Sequence, residues 1–132
     1  KKVDYYDVVV EGRVRDASRL LSVLAGAGVD LLAYKAVAIG PMRTRLTLVP
    51  SDGTRMVEGV ATARVDLDGP REALYVRGGE EPGALAEIYE RLARAEIDVH
   101  ESTGLAHIQG GYGVLLYLEQ DDCERAVAAM AV

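Results

Sequence analysis

Tryptophan and phenylalanine are absent from this 132-residue chain and its seven tyrosines are scattered, so no row of base-stacking aromatics is written into it. Basic clusters are missing too. With 15 Lys and Arg against 21 Asp and Glu the formal net charge is −6. That balance argues against nucleic acid and anionic membrane surfaces, both of which are bound chiefly by clustered cations that release counterions. The single cysteine, Cys123, excludes an internal disulfide framework and agrees with a reducing compartment; it reads as an inert helix residue. No apolar run approaches the length of about 20 residues that spans a bilayer, and the opening Lys1-Lys2-Val3-Asp4-Tyr5-Tyr6 lacks the apolar centre of a signal peptide. A cytoplasmic, soluble body is the expectation. What the chain does have is 49% hydrophobic residues, ample for the core of one ordinary domain or two very small ones.

Tyr6 to Val10 alternates as a strand, with Tyr6, Val8 and Val10 on one face. Asp16 offers an N-cap to a helix whose Ala17, Leu20, Leu21 and Leu24 face inward, and Gly26 and Gly28 end it. Leu31 to Ile39 and Arg45 to Val49 form a hairpin around Gly40-Pro41. A short helix over Thr54 to Gly59 follows, then a strand over Ala61 to Leu67, which gives the order βαββαβ. Asp68-Gly69-Pro70 reads as a turn-rich break, after which the order restarts with a strand over Ala73 to Arg77 and a helix over Pro82 to Ala95. In that helix Leu85, Ile88 and Leu92 share a face, opposite Glu87, Glu90, Arg91 and Arg94.

The two halves correspond by subtraction. Leu24 and Leu92, like Asp30 and Asp98, stand 68 apart, whereas Leu46 and Leu115, like Val57 and Ala126, stand 69 apart, as if one residue were added at Gly110-Gly111. A period this long is a duplicated domain and not a solenoid repeat, which usually runs about 20–50 residues. The expected fold class is therefore α+β, two tandem ferredoxin-like βαββαβ units divided into residues 1–69 and 70–132. Leu20, Leu24, Leu46, Leu48, Leu85, Ile88 and Leu92 are expected to be buried. The counterpart of the strand at 61–67 would fall at about 130–136 by the same offset, so the second unit lacks most of its last strand. Either the sequence is trimmed or another segment or subunit covers the exposed edge.

A strand followed by Pro82-Gly83-Ala84-Leu85 and by a helix through Leu92 and Ala95 to Ile97-Asp98 resembles the ACT domain, a small regulatory module. Glu80 stands where that family usually carries Asp or Asn, and Val14-Arg15-Asp16-Ala17 replaces Pro-Gly-Ala-Leu in the first unit, whose loop is degenerate. The resemblance implies a non-catalytic module that binds a small effector, often an amino acid, at an interface between units. On this chain the effector-binding positions would be Glu80, Glu81, Pro82, Gly83, Ala84 and Leu85 of one unit, with Asp98, Val99, His100 and Glu101 of another. The physical reading agrees: Pro suits a first helical turn, and Gly83 leaves the helix N-terminus open to a carboxylate. Glu80 and Glu81 either complement the helix dipole or receive an effector ammonium.

Other constellations are weaker. Asp98, His100 and Ser102 alternate on one expected strand and spell a triad, but nothing nearby supplies an oxyanion hole and the face is open to water. His100 and His107 are seven apart, on opposite faces of an uninterrupted strand, so they share no metal without a bulge. Gly78-Gly79-Glu80-Glu81-Pro82-Gly83 has no Lys and two carboxylates, which would repel phosphate. The expectations are therefore no catalytic residue, no metal and no cofactor. They also include a homo-oligomer, possible regulation of a separate enzyme, and neither nucleic acid nor membrane as partner. An assembly module that binds no effector is the alternative.

Overall fold

The computed structural model describes residues 1–12, 14–107 and 109–130. The protein is α+β, with antiparallel strands and four helices in the order β1 (Lys2–Glu11), α1 (Val14–Gly26), β2 (Leu31–Gly40), β3 (Arg43–Pro50), α2 (Gly53–Ala63), β4 (Asp68–Gly78), α3 (Ala84–Arg94), β5 (Glu101–Ala106), β6 (Tyr112–Tyr117) and α4 (Cys123–Met130). Two compact units result. The N-terminal unit is Asp4–Arg71; the C-terminal unit runs from Glu72 onward and includes Lys1–Val3. Among the described residues no helix is long and apolar enough to cross a membrane.

In the N-terminal unit β3 lies between β2 and β1, and the first residues of β4 lie on the far side of β1. Alternation along β1 buries Tyr6, Val8 and Val10, which pack with Leu46 and Leu48 of β3, Leu20 and Leu24 of α1, and Met56 and Val60 of α2. The partners Val8↔Leu46 and Tyr6↔Leu48 fix that register. Buried Gly59 lets α2 close on α1: a Cβ there would stand 3.0 Å from Leu24 Cδ2 and 3.2 Å from Ala27 Cβ.

The C-terminal unit repeats the chemistry with different residues. β6 lies between β4 and β5, and Leu74, Val114 and Leu116 pack against Ile88 and Leu92 of α3 and Cys123 and Ala126 of α4. Beside β4, the Tyr75 N–H donates to the Lys1 carbonyl at 2.8 Å, and the Lys1 backbone nitrogen donates to the Tyr75 carbonyl at 3.1 Å. The start of β1 thus covers the edge of β4 in this unit, as a covering segment was expected to do under one of the two alternatives. Ala131 and Val132, within the stretch from about 130 expected for a last strand, lie outside the described residues.

Several expectations are corrected. No strand spans Ala61–Leu67: α2 continues to Ala63, and Arg64 closes it in a left-handed conformation at φ 57°. Met56, Gly59 and Val60 recur at the helical period and are buried, so burial at a period of 3.6 overrides the short alternation that follows. The strand begins instead at Asp68-Gly69-Pro70, the stretch read as a break. Gly69 takes φ +136°, and a Cβ on it would meet the Tyr5 carbonyl oxygen at 2.8 Å, so the turn-forming residue is there to let two backbones approach.

Leu85 is 40% exposed, and Ala84 takes its place on the inner face of α3 with Ile88 and Leu92. Asp16 is not an N-cap; it lies in the first turn of α1, as does Arg15. The offset of 69 also fails, because Val114 and Leu116 carry the core while Leu115 is only half-buried. A strand's inner face has period two, so an odd offset from Leu46 lands on the wrong face.

Candidate functional site

The connection from β4 to α3 contains Gly79, Glu80, Glu81, Pro82 and Gly83, all exposed. Gly83 is the N-cap of α3, in a left-handed conformation at φ +94°, and no side chain caps the helix from that position. A Cβ added at Gly83 would meet nothing within 4 Å. The first bond of the helical ladder runs from the Glu87 N–H to the Gly83 carbonyl at 2.9 Å, so the amides of Leu85 and Ala86 precede the ladder and face the helix start. The carboxylates turn elsewhere. A Cβ on Gly110 would fall 1.8 Å from Glu80 Oε1, and one on Gly79 would fall 2.2 Å from Glu81 Oε2. Each carboxylate is thus folded onto a glycine of its own unit, and neither caps α3.

The second group of expected residues lies at the other end of α3. Asp98, Val99 and His100 are not in a strand; they form the connection to β5, which starts at Glu101. Asp98, Val99 and Glu101 line a groove of about 430 Å³ with Tyr89, Ile97 and Ser102. His100 does not line it. Its Nε2 stands 3.1 Å from Glu119 Oε1, and its backbone N–H donates to the Tyr117 carbonyl at 2.9 Å. The Ser102 hydroxyl is hydrogen-bonded to the Tyr89 hydroxyl. Asp98, His100 and Ser102 therefore do not share a strand face: the chain between Asp98 and His100 lacks the period-two geometry on which that reading depended. Glu80 to Leu85 are not among the residues lining this groove. Among the described residues no cluster of three or more His, Cys, Asp or Glu is arranged to hold a metal.

A larger cavity, about 980 Å³, lies in the N-terminal unit between β1, β3, α1 and the connection from α2 into β4. Five arginines line it, Arg19, Arg43, Arg45, Arg64 and Arg71, together with five carboxylates, Asp7, Glu11, Asp16, Asp66 and Asp68, so its formal charges balance. Arg71 is held by Asp68 at 2.7 Å and Asp7 at 3.6 Å, and the Thr47 hydroxyl donates to Asp7 at 2.6 Å. The Asp68 carboxylate, and after it a hydrogen bond with Tyr5, raises the Arg71 pKa above the ordinary arginine value. Sequence reading did not find this cavity. Its lining comes from four separate stretches, and arginine on a strand or after a helix reads as solvent-facing charge.

No family model matches the chain, and no curated protein matches it. Solved structures do. A protein of Bacteroides thetaiotaomicron superposes with a TM-score of 0.84 at 15% identity, covering 96% of this chain and 87% of that one. The ligand-free regulatory subunit of aspartate kinase from Thermus thermophilus superposes with a TM-score of 0.66 at 14% identity, covering 98% and 93%. The allosteric aspartate kinase of Clostridium acetobutylicum matches over 98% of this chain but 32% of its own length, at a TM-score of 0.56 and 16% identity. The chain thus has the ACT-type fold of aspartate kinase regulatory domains.

Proposed function

We propose that the chain is a regulatory module of two tandem ACT-like units that binds a small effector, an amino acid, at the start of α3. The observation that carries this reading is the open N-terminus of that helix: Gly83 at φ +94°, no side-chain cap, and empty space where a Cβ would stand. Backbone amides there, with the positive end of the helix dipole, suit an effector carboxylate. The first helix of the N-terminal unit differs near its start. A Cβ on Gly12 would fall 1.7 Å from Asp16 Oδ2, so that helix start already holds its own carboxylate. On this reading Glu80 to Leu85 of one unit and Asp98 to Glu101 of another frame the effector, with no catalytic role, and the module acts on a separate enzyme within a homo-oligomer.

Calorimetry across the amino acids tests it. One of them should bind, Gly83→Val should weaken that binding at least tenfold while the protein stays folded, and Arg15→Ala should leave it unchanged. Loss at Arg15 with unchanged affinity at Gly83→Val would move the site to the first unit and refute the assignment.

A second reading, an assembly module without ligand, is favoured by the edge strands. β2 is the edge of its unit, with Leu32 57% and Tyr34 63% exposed, and β5 is the edge of the other, with Leu105 74% exposed. Long exposed edges recruit further strands. Under this reading no amino acid binds and light scattering reports an oligomer; a monomer at tens of micromolar would exclude it.

A further inference from the structure

We infer that the edge strand β2 of one copy of the chain pairs antiparallel with the edge strand β5 of a second copy, Tyr34 opposite Gly104, so that a sheet continues from the N-terminal unit of one copy into the C-terminal unit of the other. The inference rests on the self-association that both functional readings include, and it names the surfaces that meet. Each of these edge strands carries little of the charge that keeps natural edges apart. Leu31–Gly40 contains one charged residue, Lys35, and Glu101–Ala106 contains one, Glu101. Their signs are opposite. Two β2 strands would bring together lysine alone and two β5 strands glutamate alone, so only the unlike pair of edges sets a cation against an anion.

Side-chain size makes the same choice on both faces of the sheet. Tyr34 pairs with Leu48 of β3 and Gly104 with Val114 of β6, and both partners belong to the cores beneath the helices, so Tyr34 and Gly104 are on the helix side of their strands. Tyr34 is 63% exposed, whereas β5 offers that side Ser102, Gly104 and Ala106, all small and exposed. Tyr89 of α3, whose hydroxyl meets that of Ser102, gives an incoming tyrosine ring an aromatic neighbour. On the other face the sizes are reversed: Leu105 is 74% exposed and meets Ala33 in this register. Lys35 then falls opposite Thr103 and diagonal to Glu101, a span of roughly 7–8 Å that long side chains reach. A slip of one residue would turn each side chain onto the wrong face, and a slip of two would set Leu105 against Leu31 or Lys35 instead of Ala33.

Sedimentation equilibrium and crosslinking on the full chain test it. The unaltered protein should associate at tens of micromolar. Tyr34→Glu and Gly104→Glu should each weaken that association about tenfold or more, whereas Val57→Glu, at an exposed position of α2, should leave it unchanged. A Cβ on Gly104 would meet nothing closer than Val114 Cγ2 at 3.6 Å, an ordinary contact, so the fold accepts a side chain there; circular dichroism melts establish that each variant is folded before its association is read. Protein carrying Tyr34→Cys, mixed with protein carrying Gly104→Cys, should be bridged by a short bismaleimide about tenfold more than either protein alone, the native Cys123 being buried. Bridging of Tyr34→Cys protein alone as readily as of the mixture would show like edges pairing and overturn the inference, as would self-association that either glutamate variant leaves unchanged; in both cases the oligomer itself stands. A monomer at tens of micromolar overturns the inference and the oligomer together.

Discussion

Gly69 and Gly83 both sit at positive φ, +136° and +94°, yet replacing each with alanine should have very different consequences. A non-glycine residue held in such a conformation costs on the order of 1–3 kcal/mol. At Gly83 that is the whole effect, because nothing lies within 4 Å of the new methyl group. At Gly69 the methyl would stand 2.8 Å from the Tyr5 carbonyl oxygen and 3.0 Å from Tyr6 Cδ2. The first neighbour is backbone of β1 and cannot rotate away, so overpacking adds roughly another 1–3 kcal/mol. The loss of unfolded-chain freedom on replacing glycine is common to both and cancels in the difference. Gly69→Ala should therefore be less stable than Gly83→Ala by about 2 kcal/mol, a shift of about 1 M in the urea midpoint for a slope of about 2 kcal/mol per M. Urea melts followed by circular dichroism measure both. Equal midpoints, or the larger loss at Gly83, would refute the claim that Gly69 serves backbone approach and that the start of α3 is open.

Leu24→Ala and Leu92→Ala remove side chains that are each 1% exposed in their unit's core, and each should cost about 2–5 kcal/mol in the same urea assay. Cys123 is buried, and burial first, then the Glu72 carboxylate, pushes its thiol pKa up. Native protein at neutral pH should accordingly resist iodoacetamide until unfolded, and prompt alkylation of the folded chain would contradict this packing. Lys2 is bonded to Glu124 and lies 3.4 Å from Glu72; the hydrogen bond with Glu124, then that with Glu72, raises its ammonium above the ordinary value of 10.5. A raised folded pKa contributes stability that is fully present below about 10.5 and is lost as pH rises through the folded value. Lys2→Met should remove that alkaline decline from the pH–stability curve, and an unchanged decline would show that the ion pairs do not contribute.

Periodicity made the core legible where a single element supplied both the pattern and the burial. Tyr6, Val8 and Val10 at period two and Leu20 and Leu24 four apart are buried in one cluster. It failed where two periods compete. Ala61 to Leu67 alternates, but α2 is already committed by Met56, Gly59 and Val60 and runs on to Ala63, because a helix once nucleated adds a bond for each residue fixed. The error then propagated: with the strand placed too early, Asp68-Gly69-Pro70 had to be a break. Leu85 misled for a different reason. Leu85, Ile88 and Leu92 fit a helical face as well as Ala84, Ile88 and Leu92 do, and only the position of the strands beneath α3 selects the second set, leaving Leu85 exposed.

The candidate sites were legible to the extent that they depend on local backbone. Pro82-Gly83 after a strand announces a helix start that no side chain need cover, and the left-handed Gly83 follows from a residue without a Cβ. What surrounds that start is only partly local: Glu81 lies against Gly79 two residues away, but Glu80 lies against Gly110 in the β5–β6 connection. The arginine cavity lies further from local reading. Arg45 alternates outward on β3 and Arg64 follows α2, positions where charge is the default. They differ from Arg71, Arg43 and Arg19 in having no carboxylate within 4 Å among the described residues. An exposed cation such as Arg64 needs no partner for stability, since surface ion pairs contribute at most about 1 kcal/mol.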